Sequence, residues 1–377
     1  MKKSIMIIGM SVLAAGGAQA QSPATGSGVT LYGTIDTSVE HLTNVGATKG
    51  GLTRMPSLTG SIPSRWGIRG SEDLGGGLRA VFTLESGFAP DSGTLNQGGR
   101  AFGRQAAVGL SGAWGTLSLG RQNTMLFWSL TDADLFGPNA YGLASHDNYI
   151  PNARVDNSVS WLGKFSGFTA GATYSLGRDA VNAGPSPSGT NCAGESATDS
   201  KACREWSVLL KYDAPSWGLA AAIDEIRGGT GAFAGLVRSD LKDTRVVVNG
   251  YYKLGAVKLA AGVLQRDNEA AAPLSGTNGQ SSKSNLYWLG ASYPVTPAFV
   301  LDGQLQRLNF KDGGDRSTLG IVRGTYFLSK RTGVYAQAAR ISNGPRLAIS
   351  ASSAQPGGGP IAGGSQSALM LGVRHAF

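Results

Sequence analysis

The segment Val29-Thr-Leu-Tyr-Gly-Thr-Ile-Asp-Thr-Ser-Val-Glu40 alternates apolar and polar side chains along the chain. Its apolar positions share one face: Val29, Leu31, Ile35 and Val39. Its polar positions share the other: Thr30, Thr34, Asp36, Ser38 and Glu40. Successive side chains of a β-strand point to opposite faces of its sheet, so a period of two predicts a strand with one apolar and one polar face.

The same alternation recurs to the end of the chain, for example in Trp206–Tyr212, Val246–Leu254 and Leu369–Phe377. Clusters of Gly, Pro, Asn and Asp separate the segments, and these clusters predict turns and loops. Seven connections are short, at 74–77, 111–115, 163–167, 213–216, 254–256, 294–297 and 329–332. Eight are longer, at about 42–60, 90–98, 122–153, 178–203, 228–240, 268–283, 311–316 and 343–366. Fifteen connections predict sixteen strands.

Composition excludes several classes of protein. Glycine supplies 57 of the 377 residues, charged residues only 15%, and the mean hydropathy is −0.07. The low charge and the aromatic content argue against disorder, and the glycines lack the three-residue period of collagen. After the first twenty residues no apolar run approaches the length of a membrane-spanning helix. An ordinary soluble enzyme would carry about 25% charged residues.

Strict alternation of short and long connections is typical of a bacterial outer-membrane barrel and is not expected of a soluble β-sandwich. A sheet in lipid must close on itself, because the bilayer core cannot satisfy the hydrogen bonds of an open edge. We therefore predict an all-β fold, a sixteen-stranded antiparallel transmembrane β-barrel, with residues 21–377 as one domain. An even strand count places both termini on the short-turn side.

The first twenty residues predict a signal peptide. Lys2 and Lys3 form a positive n-region, an apolar core follows, and Ala18-Gln-Ala20 fits a cleavage site. A retained helical anchor is the alternative. Such a segment would direct the protein to export, and its removal would lower the formal charge from +9 to +7, since the two lysines leave with it.

Cys192 and Cys203 lie in one polar segment, and in an oxidising compartment they could close a local disulfide or remain free thiols. Two thiols and three scattered histidines do not suggest a metal site, and no cofactor is expected. No G-x-S-x-G or H-E-x-x-H motif supports an enzyme, and His375 is the only positional candidate for a barrel lipase. The absence of any Lys/Arg run argues against nucleic-acid binding.

Six motifs, in order along the chain, resemble those of the trimeric general-diffusion porins of Gram-negative bacteria. They are Val29-Thr-Leu-Tyr-Gly33, Ser64-Arg-Trp-Gly-Ile-Arg-Gly-Ser-Glu-Asp-Leu-Gly-Gly-Gly-Leu78, Arg104-Gln-Ala-Ala-Val-Gly-Leu110, Gly115-Thr-Leu-Ser-Leu-Gly-Arg-Gln122, Arg154-Val-Asp-Asn-Ser158 and Gly372-Val-Arg-His-Ala-Phe377. The resemblance implies a homotrimer in outer-membrane lipid and lipopolysaccharide. Phe377 resembles the terminal signal read by the outer-membrane assembly machinery.

The resemblance also implies that the third long loop, at about 122–153, folds into the barrel and narrows the pore. On this loop Asp132 and Asp134 precede Phe136-Gly137 and match the acidic side of the family's constriction, with Asp147 as a weaker candidate. On the opposite wall, matching motifs give Arg65, Arg104 and Arg154. Alternation independently turns Arg65 inward. The parity of Arg121 with Leu117 and Leu119 turns Arg121 outward, where a neighbouring subunit could contact it.

Such an arrangement predicts a passive channel for ions and small hydrophilic solutes, with a mild preference for anions. Two further inward carboxylates, Asp36 and Glu85, could cancel the excess of positive charge. An adhesion or structural barrel with a closed lumen remains the alternative.

Overall fold

The structure is a computed structural model, which describes residues 27–57, 60–137, 139–146, 153–178, 192, 194–230, 232, 236–269, 283–311, 314–354 and 357–377. The predicted signal peptide and Asp147 lie outside these ranges. Among the described residues, no helix is long and apolar enough to cross a membrane.

Seventeen strands and three short helices occur in the described ranges, and all of the strands belong to one sheet. The elements are β1 Gly28–Val45, β2 Gly50–Arg54, β3 Arg65–Gly75, β4 Leu78–Gly87, α1 Asn96–Gly99, β5 Gln105–Gly112, β6 Gly115–Asn123, α2 Met125–Leu130, α3 Leu143–His146, β7 Arg154–Phe165, β8 Phe168–Ser175, β9 Glu205–Asp213, β10 Trp217–Arg227, β11 Lys242–Leu254, β12 Val257–Asn268, β13 Ser284–Thr296, β14 Phe299–Phe310, β15 Arg316–Phe327, β16 Thr332–Asn343 and β17 Ser365–Ala376.

Sixteen of these strands form a closed antiparallel barrel, which confirms the predicted fold. Each barrel strand pairs with its neighbours in the chain, and β1 pairs with β17 to close the ring. The short β2 pairs only with the far end of β1 and extends the hairpin of the first long loop. The sequence pattern did not reveal β2.

The two faces of the barrel differ as the alternation predicts. In β17, Leu369 and Leu371 are exposed on the outer face, whereas Met370 between them is buried inside. The first and last barrel strands meet near Phe377, where the amide of Phe377 donates to the carbonyl of Gly33 and the amide of Gly33 donates to the carbonyl of Phe377, both at 3.1 Å. This pairing satisfies the last backbone groups of the ring, so no sheet edge is left between β1 and β17.

Candidate pore constriction

The third long loop, which we call the inward loop (residues 124–153), leaves β6 and enters the barrel. Thr124 caps α2 by accepting a hydrogen bond from the amide of Phe127 at 3.4 Å. The amide of Met125 donates to the hydroxyl of Ser207 on β9 at 2.9 Å. The apolar side of α2 packs on inward-facing residues of β9 to β13, namely Leu209, Val247, Leu264, Leu286 and Trp288.

Beyond α2 the inward loop crosses β13, β14 and β15. The indole of Trp288 donates to the carbonyl of Ala133 at 3.0 Å, and Gln304 accepts from the amide of Leu135 at 3.2 Å. The guanidinium of Arg323 lies 4.6 Å from the ring centroid of Phe136. Gly137 has φ +65°, a conformation that favours glycine, and turns the loop toward β1 and β16. The loop therefore covers the inner wall of β9 to β17.

Asp132 and Asp134 both lie on this loop, but in different surroundings. Asp132 is paired with the ammonium of Lys211, which also lies 3.0 Å from Asp213. Burial raises the pKa of Asp132, yet the Lys211 charge outweighs burial and holds that pKa below its usual value.

Asp134 is buried against the wall, where one carboxylate oxygen accepts from the amide of Gln304 at 3.2 Å. Burial raises the pKa of Asp134 to about 7, although the hydrogen bond from Gln304 and backbone amides oppose the shift. One of the two loop carboxylates is thus neutralised by a lysine, and the other is only partly ionised at neutral pH.

The arginine side of the site is built on β3, β4 and the start of β5. Arg65 and Glu85 lie on the inner face of adjacent strands, with 3.4 Å between the guanidinium and the carboxylate. Arg104 precedes β5 and pairs with the same carboxylate at 2.6 Å. The hydroxyl of Tyr32 donates to Glu85 at 3.0 Å. Glu85 is therefore the shared counter-ion of two arginines rather than a free lumen charge.

Arg154 opens β7 and lies within electrostatic range of Arg65, Arg104, Arg121 and Glu85. It is buried and has no direct carboxylate partner among the ion pairs of the described residues. The structure thus brings the three arginines matched from the motifs together around one carboxylate.

Arg121 and Asp156 extend this cluster. Arg121 pairs in register with Ala106, but it is buried rather than exposed. Its guanidinium donates to the carbonyl of Gly103 at 2.7 Å and to Asp156 at 2.5 Å, and Arg100 approaches the same carboxylate at 2.9 Å. The alternation did not indicate that the second long loop, through Gly103, would bury Arg121, and its outward orientation toward a neighbouring subunit stays a prediction. Asp156 lies inside the Arg-Val-Asp-Asn-Ser motif, two residues after Arg154, and this spacing is the signal that could have revealed it.

Asp36 faces inward, as its parity predicts, but is fully buried. Its carboxylate accepts from the amide of Ile62 at 2.9 Å and from the hydroxyl of Tyr335 at 2.6 Å. The hydroxyl of Ser64 bonds the backbone of Asp36 in both directions, at 2.8 and 2.9 Å. Asp36 thus anchors the end of the first long loop to the inner wall.

A second loop also enters the barrel: the connection between β16 and β17, which we call the mouth loop (residues 344–364). Its Leu347 and Ala351 are fully buried, and the amide of Ser353 donates to the carbonyl of Ala140 on the inward loop at 2.9 Å. Arg54 joins this assembly, with 2.5 Å to Glu40 and 3.0 Å to the hydroxyl of Ser352. No sequence pattern indicated that this long connection folds inward.

Cys192 and Cys203 form a disulfide in the loop between β8 and β9, with 5.6 Å between their Cα atoms. Both sulfurs are buried beside Gly229, where an added Cβ would lie 2.9 Å from Cys203 Sγ. Within the ranges that the structure describes, no cluster of three potential protein ligands could hold a metal ion.

A sixteen-stranded barrel with an inward loop and charged inner walls defines a bacterial outer-membrane channel. The chain belongs to the Gram-negative porin family, whose family model matches residues 8–345. It is 33% identical to outer membrane porin protein 32 of Delftia acidovorans and 30% identical to an outer membrane porin of Bordetella pertussis, over the full length of each chain. The protein is therefore located in the outer membrane, which its β-strands cross many times.

Solved structures agree with this assignment. An anion-selective porin from Comamonas acidovorans superposes with a TM-score of 0.75 at 26% identity, covering 93% of this chain and all of that one. The trimer form of OmpT from Vibrio cholerae shares the fold with a TM-score of 0.63 at 14% identity. The family consists of channels for passive diffusion, not of enzymes.

Proposed function

We propose that this porin is an anion-preferring diffusion channel for small hydrophilic solutes, and that Arg65, Arg104 and Arg154 set its selectivity. One observation carries the proposal: these three arginines surround the single carboxylate of Glu85, whereas neither loop aspartate offers a full free charge to the pore. The excess of positive over negative charge at the constriction is therefore larger than a simple count of the arginines and aspartates indicates. The anion-selective Comamonas porin, similar over its whole chain, supports the same sign of selectivity.

The mechanism is electrostatic and needs no catalysis. The inward loop covers one part of the inner wall, so a permeating ion passes between that loop and the arginine-bearing strands β3 to β7. Charges in a narrow lumen are screened less than surface charges, whose field decays over about 8 Å at physiological salt. The guanidinium groups raise the local concentration of anions and repel cations, and they hold water and polar solutes in preference to apolar ones.

The test is the zero-current potential across a planar bilayer under a KCl gradient. The unmodified protein is expected to prefer chloride, and Arg65→Ala, Arg104→Ala and Arg154→Ala are each expected to shift the potential toward potassium. Arg238→Ala is the matched control, since Arg238 is exposed and pairs with Asp240 at 2.9 Å outside the barrel wall. Cation preference in the unmodified protein, or an equal shift in the control, would refute the proposal. A bilayer that shows no conductance after the protein is added would favour the alternative of an adhesion barrel with a closed lumen.

We also propose that the protein forms a homotrimer and that Phe377 directs its assembly in the outer membrane, among lipid and lipopolysaccharide. Family membership supports the trimer. The exposed ring and backbone pairing of Phe377 at the barrel seam support its role in assembly, because an assembly machine can read the last strand before β1 closes on it. Gentle detergent extraction should give a heat-modifiable trimer, and a species that never exceeds monomer mass would overturn this part.

A further inference from the structure

The short-turn end of the barrel carries a group of inward-facing cations remote in sequence from the arginine cluster. Lys253 on β11 pairs in register with Lys258 on β12, and Lys258 pairs in register with Ser292 on β13. Directly paired residues of antiparallel strands face the same side, with Cβ atoms about 5 Å apart. We call Lys253, Lys258 and the neighbouring Ser292 the lysine row. Asn249 and Val247 are buried on the same face of β11, which fixes that face as the inner one.

Tyr251 positions both lysines. Its ring lies beneath the ammonium of Lys258 at 4.8 Å and that of Lys253 at 5.5 Å. Its hydroxyl donates to Asp213 at 3.0 Å, so the ring is held from its far end. The two cations are thus kept near one aromatic face instead of moving apart into solvent.

The nearest carboxylates are engaged elsewhere. Asp132 and Asp213 both contact Lys211 directly, and Asp132 reaches Lys258 only at longer range. Within the described ranges, neither Lys253 nor Lys258 forms a direct ion pair with a carboxylate. Like charges that face each other across a strand pair repel, so an anion placed between them stabilises the arrangement. Both lysines remain accessible, since Lys253 is exposed and Lys258 partly so.

We propose that the lysine row is a second anion-binding site at the periplasmic end of the pore, and that it takes a small solute with two negative charges. Two ammonium groups match two charges, and the hydroxyl of Ser292 supplies a third donor. Short turns face the periplasm in barrels of this kind, so the solute meets this site after the arginine cluster on its way inward. The site rests on the proposed anion pathway and gives that pathway an exit.

The test uses the assembled protein in detergent and succinate as the probe, with binding measured by calorimetry. The double variant Lys253→Gln/Lys258→Gln should weaken the binding of succinate by about tenfold, because two charge-assisted contacts are lost. Ser292→Ala should weaken it less. Lys330→Gln is the matched control, because Lys330 is an exposed lysine of another short turn at the same end. Acetate, with one charge, should bind more weakly and respond less to the double change.

Succinate affinity that is equal in the unmodified protein and the double variant overturns the proposal, as does an equal loss in Lys330→Gln. The zero-current potential in KCl separates this result from the proposed selectivity. Anion preference without lysine-dependent binding of succinate refutes the lysine row alone. Cation preference together with such binding refutes the proposed role of Arg65, Arg104 and Arg154 in selectivity and supports the lysine row.

Discussion

Replacing Asp134 with asparagine should change how the stability of this porin depends on pH. The carboxyl group of Asp134 is buried at 3% exposure, and burial raises its pKa from 3.8 to about 7. The folded state therefore holds the proton more tightly than the unfolded chain does. Below about pH 4 both states are protonated and the group has no effect; as the pH rises from there to about 7, folding loses stability.

The magnitude follows from the difference between the two pKa values. A shift of one pKa unit corresponds to about 1.4 kcal/mol, so a difference of about three units predicts a loss of about 4 kcal/mol above pH 7. Asp134→Asn keeps a neutral group of the same shape that can still accept from Gln304, and it removes this loss. The variant should match the unmodified protein near pH 4 and exceed it in stability by up to about 4 kcal/mol near pH 8.

The assay is guanidinium unfolding in detergent across this pH range, followed by tryptophan fluorescence, to which Trp128, packed against the buried cluster around α2, contributes. Asp132→Asn is the control, two residues away on the same loop. Its ion pair with Lys211 lowers the carboxyl pKa, so Asp132 contributes stability above its unfolded pKa that is lost as the pH falls. Removing Asp132 should therefore not stabilise the protein at pH 8. An unchanged pH profile in Asp134→Asn would show that the carboxyl is ionised in the fold and that this reasoning is wrong.

Three further outcomes follow from single contacts. Gly33→Ala should lower the yield of heat-modifiable barrel, because an added Cβ would lie 2.4 Å from the ring of Phe377 and 2.8 Å from the carbonyl of Arg65. Gly28→Ala is the control and should leave the yield unchanged, because an added Cβ there meets nothing within 4 Å. Arg54→Met should cost about 3–5 kcal/mol and increase current noise, because it leaves Glu40 buried without its cation and removes the hydrogen bond from Arg54 to Ser352 of the mouth loop. Serine at both Cys192 and Cys203 should leave conductance unchanged while proteolysis of that loop accelerates, and thiol labelling of the unreduced protein should find no free cysteine.

The strands were predictable because lipid on the outside imposes a strict period of two. All seven short turns fall where the glycine-, proline- and aspartate-rich clusters place them. The extra strand β2 and the inward course of the mouth loop were not predictable, since both depend on contacts with distant strands. Arg54, for example, binds Ser352 across a separation of 298 residues, and no local pattern records such a contact.

The sequence motifs predicted which residues form the site, but they did not predict how the charges of those residues are paired. Motifs brought Arg65, Arg104 and Arg154 to one place, but they could not show that Glu85 is shared between two of them. The partner of Asp132 was within reach of the sequence, because Lys211 takes the inward parity of Ser207 at the end of the same strand. The burial of Asp134 was not, because it depends on how closely the loop packs on Gln304.

The inner wall of the barrel explains why the pore is asymmetric. A water-filled barrel would carry polar residues all round its interior, yet β9 to β13 turn Leu209, Val247, Leu264, Leu286 and Trp288 inward. In Val246-Val-Val248 the alternation disappears, because the inner face there is as apolar as the lipid face. These residues share one buried cluster with Met125 of α2 and Leu347 of the mouth loop, so the two loops together remove this part of the wall from water. The arginine-bearing strands β3 to β7 lie outside this apolar surface. Covering this part of the wall with the loop leaves the strands that carry Arg65 and Arg154 outside the covered region, and the proposed anion preference rests on that arrangement.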